Sequence, residues 1–233
     1  MNSEVFSDDV RFIGPPLEEG PLPTLFYFAL SAKESLEKDP YNQLAQFLEG
    51  APLRIFSVTL PSHDTDLSPD EAINCWETRM KEGDLVIPPF VEKLKQVLHT
   101  LKPHIKEGHL LAAGLSRGAF VATHFAAQCP EITHVLGFAP LTRFRTEQSL
   151  DLERLIPSLY KKKVRFYIGN HDMRVGTDHA FSFIQNLAKE AHTHRIRTSP
   201  IELIIGPSIG YQGHGTAPQT FQSGAEWVKG ALL

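Results

Sequence analysis

The sequence predicts an α/β fold, a mostly parallel central sheet with helices on both faces. Three observations predict it. Apolar runs recur at 24–29, 53–60, 109–113, 133–138, 164–168 and 201–205, each about the length of a buried strand. Segments of helical composition or spacing stand between most of them, so strands and helices alternate as a parallel sheet requires. The pentapeptide Gly114-Leu115-Ser116-Arg117-Gly118 lies between one such run and the helical segment 119–127, forming a strand, a tight turn and a helix around one serine.

The elements follow in order. Residues 1–23 are polar and then rich in proline, an extended lead-in with Val10–Ile13 as a candidate edge strand. The strand at 24–29 leads to a polar loop over 31–40 and a helix over 41–48 that stops at Gly50. After the strand at 53–60, closed by Pro61, a helix is expected from Pro69 to Met80 with Ser68 as its N-cap. Val91, Leu94, Val97, Leu98 and Leu101 mark an amphipathic helix over 90–101. The helix after Ser116 ends near Cys129-Pro130, and the strand at 133–138 leads into a basic, amphipathic excursion over 141–163. A strand at 164–168 precedes a helix over 178–194 with Phe181, Ile184 and Leu187 on one face. The strand at 201–205, a glycine-rich loop with His214 and a helix over 216–232 complete the chain. At 233 residues one domain is expected. The segments 62–89 and 141–163 are the candidate pocket walls, too short for more than a small or minimal lid.

Bulk properties narrow the function. A formal net charge of −4 gives no reason to expect a nucleic-acid or anionic-membrane partner. No apolar run is long enough to span a bilayer, and the acidic first residues lack the apolar segment of a signal peptide. Cys75 and Cys129 form no spacing motif, so a reduced, cytoplasmic setting is expected. No cofactor or metal is expected, and nothing in the residues sets the oligomeric state.

The chemistry gathers at three positions. Ser116 would sit on a turn sharp enough to lift its Oγ clear of the sheet, with Gly114 and Gly118 letting strand and helix approach. Asp172 follows the strand at 164–168, and His214 lies on the loop after the last strand. A serine nucleophile, an acid and a histidine in that chain order have a defined division of labour. His214 takes the serine proton and returns it to the leaving group, while Asp172 fixes its tautomer and stabilises the imidazolium. The oxyanion needs two donors: the Arg117 backbone N–H, and one from the loop after the first buried strand, at Leu30 or Ser31.

Rivals for these roles are weaker. Of eleven histidines, His99, His104, His109, His192 and His194 flank surface helices, and His171 follows the wrong strand. Asp178 reads as a helix N-terminal charge. Asp151 and Glu147 follow the preceding strand only after several loop residues. The run Gly169-Asn170-His171-Asp172 also matches one piece of a binuclear metallophosphoesterase, but its companion ligand motifs do not occur.

On these motifs the chain resembles the α/β-hydrolase superfamily over about residues 20–233. The Gly-x-x-Asp-x-x-Val at 169–175 and the Gly-His-Gly before a helix with Glu226-Trp227-Val228 look like its dienelactone-hydrolase and prolyl-oligopeptidase-like branch. That resemblance implies carboxylic ester hydrolysis. Two departures matter: no His-Gly-Gly-Gly motif follows the first strand, and a serine stands where typical dienelactone hydrolases carry cysteine. The expected partner is a small or medium ester, with thioester or small amide cleavage on the same three residues as the alternative. A non-catalytic binding protein of the same fold is the alternative of another class. Arg143 and Arg145, just past a strand end, are candidates to pair with a substrate carboxylate, and His63 is a candidate to line the site.

Overall fold

The computed structural model describes residues 9–63, 69–144, 146–197 and 200–233. Seven strands form one sheet: β1 (Val10–Ile13), β2 (Leu22–Phe28), β3 (Arg54–Val58), β4 (Ile105–Leu115), β5 (His134–Phe138), β6 (Lys163–Gly169) and β7 (Ile201–Gly206). Their spatial order is β1-β3-β2-β4-β5-β6-β7. All pairs are parallel except β1 with β3, in which Val10 faces Val58 and Ile13 faces Ile55.

The period-two alternation of β2 shows why the strands are apolar throughout. Phe26 and Phe28 point into one core, and Leu25 and Tyr27 into the other. The first core is closed by α3 (Pro69–Lys81), α4 (Ile87–Leu101), α5 (Arg117–Gln128), the short α6 (Ile156–Leu159) and α7 (Thr177–Thr193), with Trp76, Leu94, Phe125, Leu159 and Phe183 among the residues inside it. The second is closed by α1 (Ala32–Glu37), α2 (Gln43–Phe47) and α8 (Pro218–Leu232), through Leu36, Leu44, Phe221 and Val228. Both faces of the sheet are therefore covered, as the strand composition requires.

Several expectations need correction. The segment 31–40 is not a loop throughout: α1 occupies its first half, capped by Ser31, whose Oγ accepts the Glu34 N–H at 3.2 Å. The strand before Ser116 begins four residues earlier than its apolar run: half-buried Ile105 pairs with Leu22, and the exposed residues 106–108 fall in a register shift before Leu110 pairs with Thr24. Phe181 does not join Ile184 and Leu187 on the buried face of α7; it is 52% exposed, and Ala180, Phe183 and Ala191 take the inward positions. The helix expected from 216 begins at Pro218, a residue suited to a first turn because its missing N–H would have no partner there. The excursion over 141–163 is three short helical turns, at Gln148–Leu150, Leu152–Leu155 and Ile156–Leu159. Ser68, the expected cap of α3, lies outside the described residues.

Candidate active site

The parallel strands deliver β4, β5, β6 and β7 to one edge, and the loops that leave that edge carry the site. Ser116 sits between β4 and α5 with φ 55° and ψ −114°, a left-handed backbone that a side chain rarely adopts. Its N–H donates to the Phe138 carbonyl at 2.8 Å, and its own carbonyl accepts the Leu141 N–H at 3.2 Å, so two hydrogen bonds hold the strained turn. The flanking glycines are required by contact. A Cβ on Gly114 would lie 2.1 Å from the Gly118 carbonyl carbon, and one on Gly118 would lie 1.9 Å from the Phe28 carbonyl oxygen. Serine at a helix N-cap ordinarily turns its hydroxyl onto the first helical amides. Here it makes no such bond, and Oγ lies 2.9 Å from His214 Nε2.

The histidine is held from the other side. His214 Nδ1 lies 2.8 Å from Asp172 Oδ2, and the Asp172 side chain is completely buried. Asp172 Oδ1 accepts the N–H groups of Arg174 at 3.0 Å and Val175 at 3.1 Å, which leaves Oδ2 for the imidazole. The loops after β6 and β7 are sewn together behind this pair. The Ser208 N–H donates to Asn170 Oδ1 at 3.0 Å, the His171 N–H to Ser208 Oγ at 2.6 Å, and the Met173 N–H to the Gln212 carbonyl at 3.0 Å. Gly213, at φ 73°, passes so close to the His171 carbonyl that a Cβ there would sit 2.3 Å away. The three residues singled out by chain order therefore form one hydrogen-bonded line. With Nδ1–H donating to the carboxylate, Nε2 presents its lone pair to the serine hydroxyl, an arrangement able to accept that proton.

The oxyanion donors are placed less fully. Arg117 is the first residue of α5, where an N–H has no acceptor within its own helix. Leu30 borders the space at Ser116, but its N–H already donates to Ser35 Oγ at 3.0 Å, beside that of Ala29 at 3.1 Å. This corrects the expectation that Leu30 offers a ready donor. Ser31 is not among the residues lining that space, and the Glu34 carboxylate engages its N–H. The other sequence candidates divide. Arg143 reaches the cavity above Ser116 and stands 3.7 Å from Glu153. His63 is buried and lines neither cavity that opens on Ser116, so the structure does not bring it to the site. Arg145 lies outside the described residues. Among the rival acids, Asp178 is an exposed first-turn residue of α7, Asp151 Oδ1 accepts the Phe144 N–H, and Glu147 caps a short helical turn.

Two cavities meet at this line. One, of about 1270 Å³, runs between the loops after β5 and β6 and the end of α3. The other, of about 240 Å³, lies toward α1, α2 and α8 and is bordered by Leu30, Tyr41, His214 and Phe221. Ser116, Arg117 and Arg174 border both. The Arg117 side chain is buried with its guanidinium 5.2 Å from the Trp76 ring. Arg174 and Tyr41 did not stand out in the sequence. Arg174 follows Asp172 by two residues on the same loop, a signal that was available, whereas nothing near Tyr41 marks it.

Solved structures share this fold. A cold-adapted esterase from an Arctic intertidal metagenomic library is similar with TM-score 0.70 and 17% identity, over 96% of this chain and 88% of that one. The fold is that of the α/β hydrolases. S-formylglutathione hydrolase from Staphylococcus aureus matches with TM-score 0.60 and 13% identity, over 89% and 81% of the two chains. A Klebsiella pneumoniae protein named as a dienelactone hydrolase matches with TM-score 0.65 and 14% identity, over 94% and 92%. No protein-family model matches the sequence, and no curated protein matches it.

Proposed function

We propose that this α/β-hydrolase-fold protein is a serine hydrolase that cleaves a carboxylic ester through an acyl-enzyme on Ser116. The observation that carries the reading is the continuous hydrogen-bonded line from Ser116 Oγ through His214 to buried Asp172. In this reading His214 Nε2 removes the hydroxyl proton as Oγ attacks the acyl carbon. The same nitrogen then hands the proton to the departing alcohol. Water repeats the sequence to release the acid and restore the serine. The strained Ser116 backbone supports the assignment, since strain is retained where it serves a chemical geometry. The similarity to esterases among solved structures agrees with it.

The substrate in this reading is a small molecule. No described helix is long and apolar enough to cross a membrane. Cytoplasmic residence is proposed on the two cysteines, which are both free. A paired assay of the wild type and Ser116→Ala on p-nitrophenyl esters from acetate to octanoate tests the activity. Turnover by the wild type should fall by about 10⁴-fold or more in the variant. A fluorophosphonate probe should label the wild type at Ser116 and leave the variant unlabelled. Equal turnover by both proteins, or labelling elsewhere, overturns the reading.

A further inference from the structure

The two cavities at Ser116 differ in size and chemistry, and the reacting positions divide between them unequally. His214 and Leu30 border the small one and are absent from the lining of the large one. Resting on the esterase reading above, we propose that the natural substrate joins a polar, hydrogen-bonding acid to a small apolar alcohol. The acid occupies the large cavity and the alcohol the small one.

Stereochemistry carries the assignment. Attack by Ser116 Oγ makes the acyl carbon tetrahedral, with Oγ, the oxyanion, the alcohol oxygen and the acyl chain around it. The alcohol oxygen must come within reach of His214 Nε2, because that nitrogen returns the proton as the carbon–oxygen bond breaks. The oxyanion turns toward the Arg117 N–H, which borders both cavities. The alcohol oxygen, held to His214, lies on the side of the small cavity. The acyl chain is left with the large one. The later attack of water breaks the Oγ–acyl bond, frees the acid from that cavity and returns the proton to Ser116.

The walls then specify each half. Leu30, Pro40, Leu115 and Phe221 give the small cavity a mainly apolar lining, and about 240 Å³ accommodates a short alkyl group. The large cavity carries both signs of charge and neutral amides, through Glu77, Arg143, Gln148, Asp151, His179 and Gln212. A bare alkyl chain would displace water from these groups without replacing its hydrogen bonds, whereas a chain with amides or hydroxyls pairs them.

Four esters decide the matter: the methyl and hexadecyl esters of an acetylated dipeptide and of decanoic acid. For the wild type, kcat/KM should favour the dipeptide methyl ester over methyl decanoate by roughly tenfold or more, since polar sites reject analogues that leave them unpaired. Replacing methyl by hexadecyl, which is larger than the small cavity, should cost roughly tenfold or more on either acid. Tyr41→Ala, which widens the small cavity, should relax the alcohol penalty and leave the acid preference in place. Arg143→Met with Gln148→Leu should do the reverse. Should turnover be too slow to measure, the power of the four esters to protect Ser116 from fluorophosphonate ranks them in the same order. Preference for decanoate, indifference to the acid, or tolerance of hexadecyl equal to or better than methyl overturns the assignment while labelling of Ser116 still upholds the hydrolase. Loss of labelling in folded protein instead overturns the hydrolase itself.

Discussion

The two oxygens of Asp172 are not interchangeable, and that difference makes a one-atom change informative. Oδ1 is occupied by the Arg174 and Val175 N–H groups, so the turn fixes which oxygen faces His214. In Asp172→Asn, the remaining oxygen would stay on those two donors, and the amide nitrogen would be left facing Nδ1. Nδ1 would then have to accept, which places the proton on Nε2 and removes the lone pair that Ser116 needs. We expect kcat to fall by about 10⁴-fold, with little change in the urea midpoint. The measurement is steady-state kinetics on a p-nitrophenyl ester beside equilibrium unfolding. A variant that keeps more than a tenth of the activity would mean that the carboxylate does not set the tautomer. Ser116, Asp172 and His214 were legible in the sequence because residue type, chain order and strand ends all agreed. The second oxyanion donor was not. Its identity depends on whether a backbone N–H is already engaged, and Ser35, which engages the one on Leu30, acts from within α1.

Elements whose sequences carry one strong period were legible, and those shaped by neighbours were not. The helix α4 shows its inward stripe directly, with Val91, Leu94, Leu98 and Leu101 all buried. By contrast, α1 is six residues long, and its signal is the local Ser31-x-x-Glu34 capping box, in which the Ser31 hydroxyl also donates to Glu34 Oε2 at 2.9 Å. The apolar run of β7 suggested a fully covered strand, yet Ile204 and Ile205 are exposed because β7 is an edge. The proline-rich lead-in held a further surprise at Arg54. This side chain is fully buried in β3 and donates to the carbonyls of Pro15, Pro16, Gly20 and His104 at 2.6–2.9 Å. It ties the lead-in and the start of β4 to the sheet. Arg54→Met preserves much of the volume but strands four carbonyls, so we expect a loss of about 3–5 kcal/mol in urea unfolding. A change below about 1 kcal/mol would show that water replaces the guanidinium without penalty.

At the scale of the whole molecule, the histidines link stability to pH. His124, on α5, is buried against Phe120 with Nε2–H donating to the Leu150 carbonyl at 2.8 Å, and its pKa is pushed down to about 4 by burial. His134, at the start of β5, is likewise brought down to about 4, by burial first and by Lys163 second. Both titrate near pH 6.5 once unfolded. Between those values the unfolded chain binds more protons than the folded one, so stability rises with pH. The stabilisation is complete above pH 6.5 and is lost as pH falls toward 4. For His124 the full contribution is of order 3 kcal/mol, and for His134, less enclosed, we expect a smaller share. The consequence reaches the site, because Leu150 belongs to the same short helical turn as Gln148, a wall of the large cavity. Unfolding free energies measured from pH 7.5 to 4.5 should decline, and His124→Gln, whose amide can still donate to Leu150, should flatten that decline. An unaltered slope in the variant would assign the acid sensitivity to other groups. A flattened slope would make this histidine a principal source of the acid sensitivity.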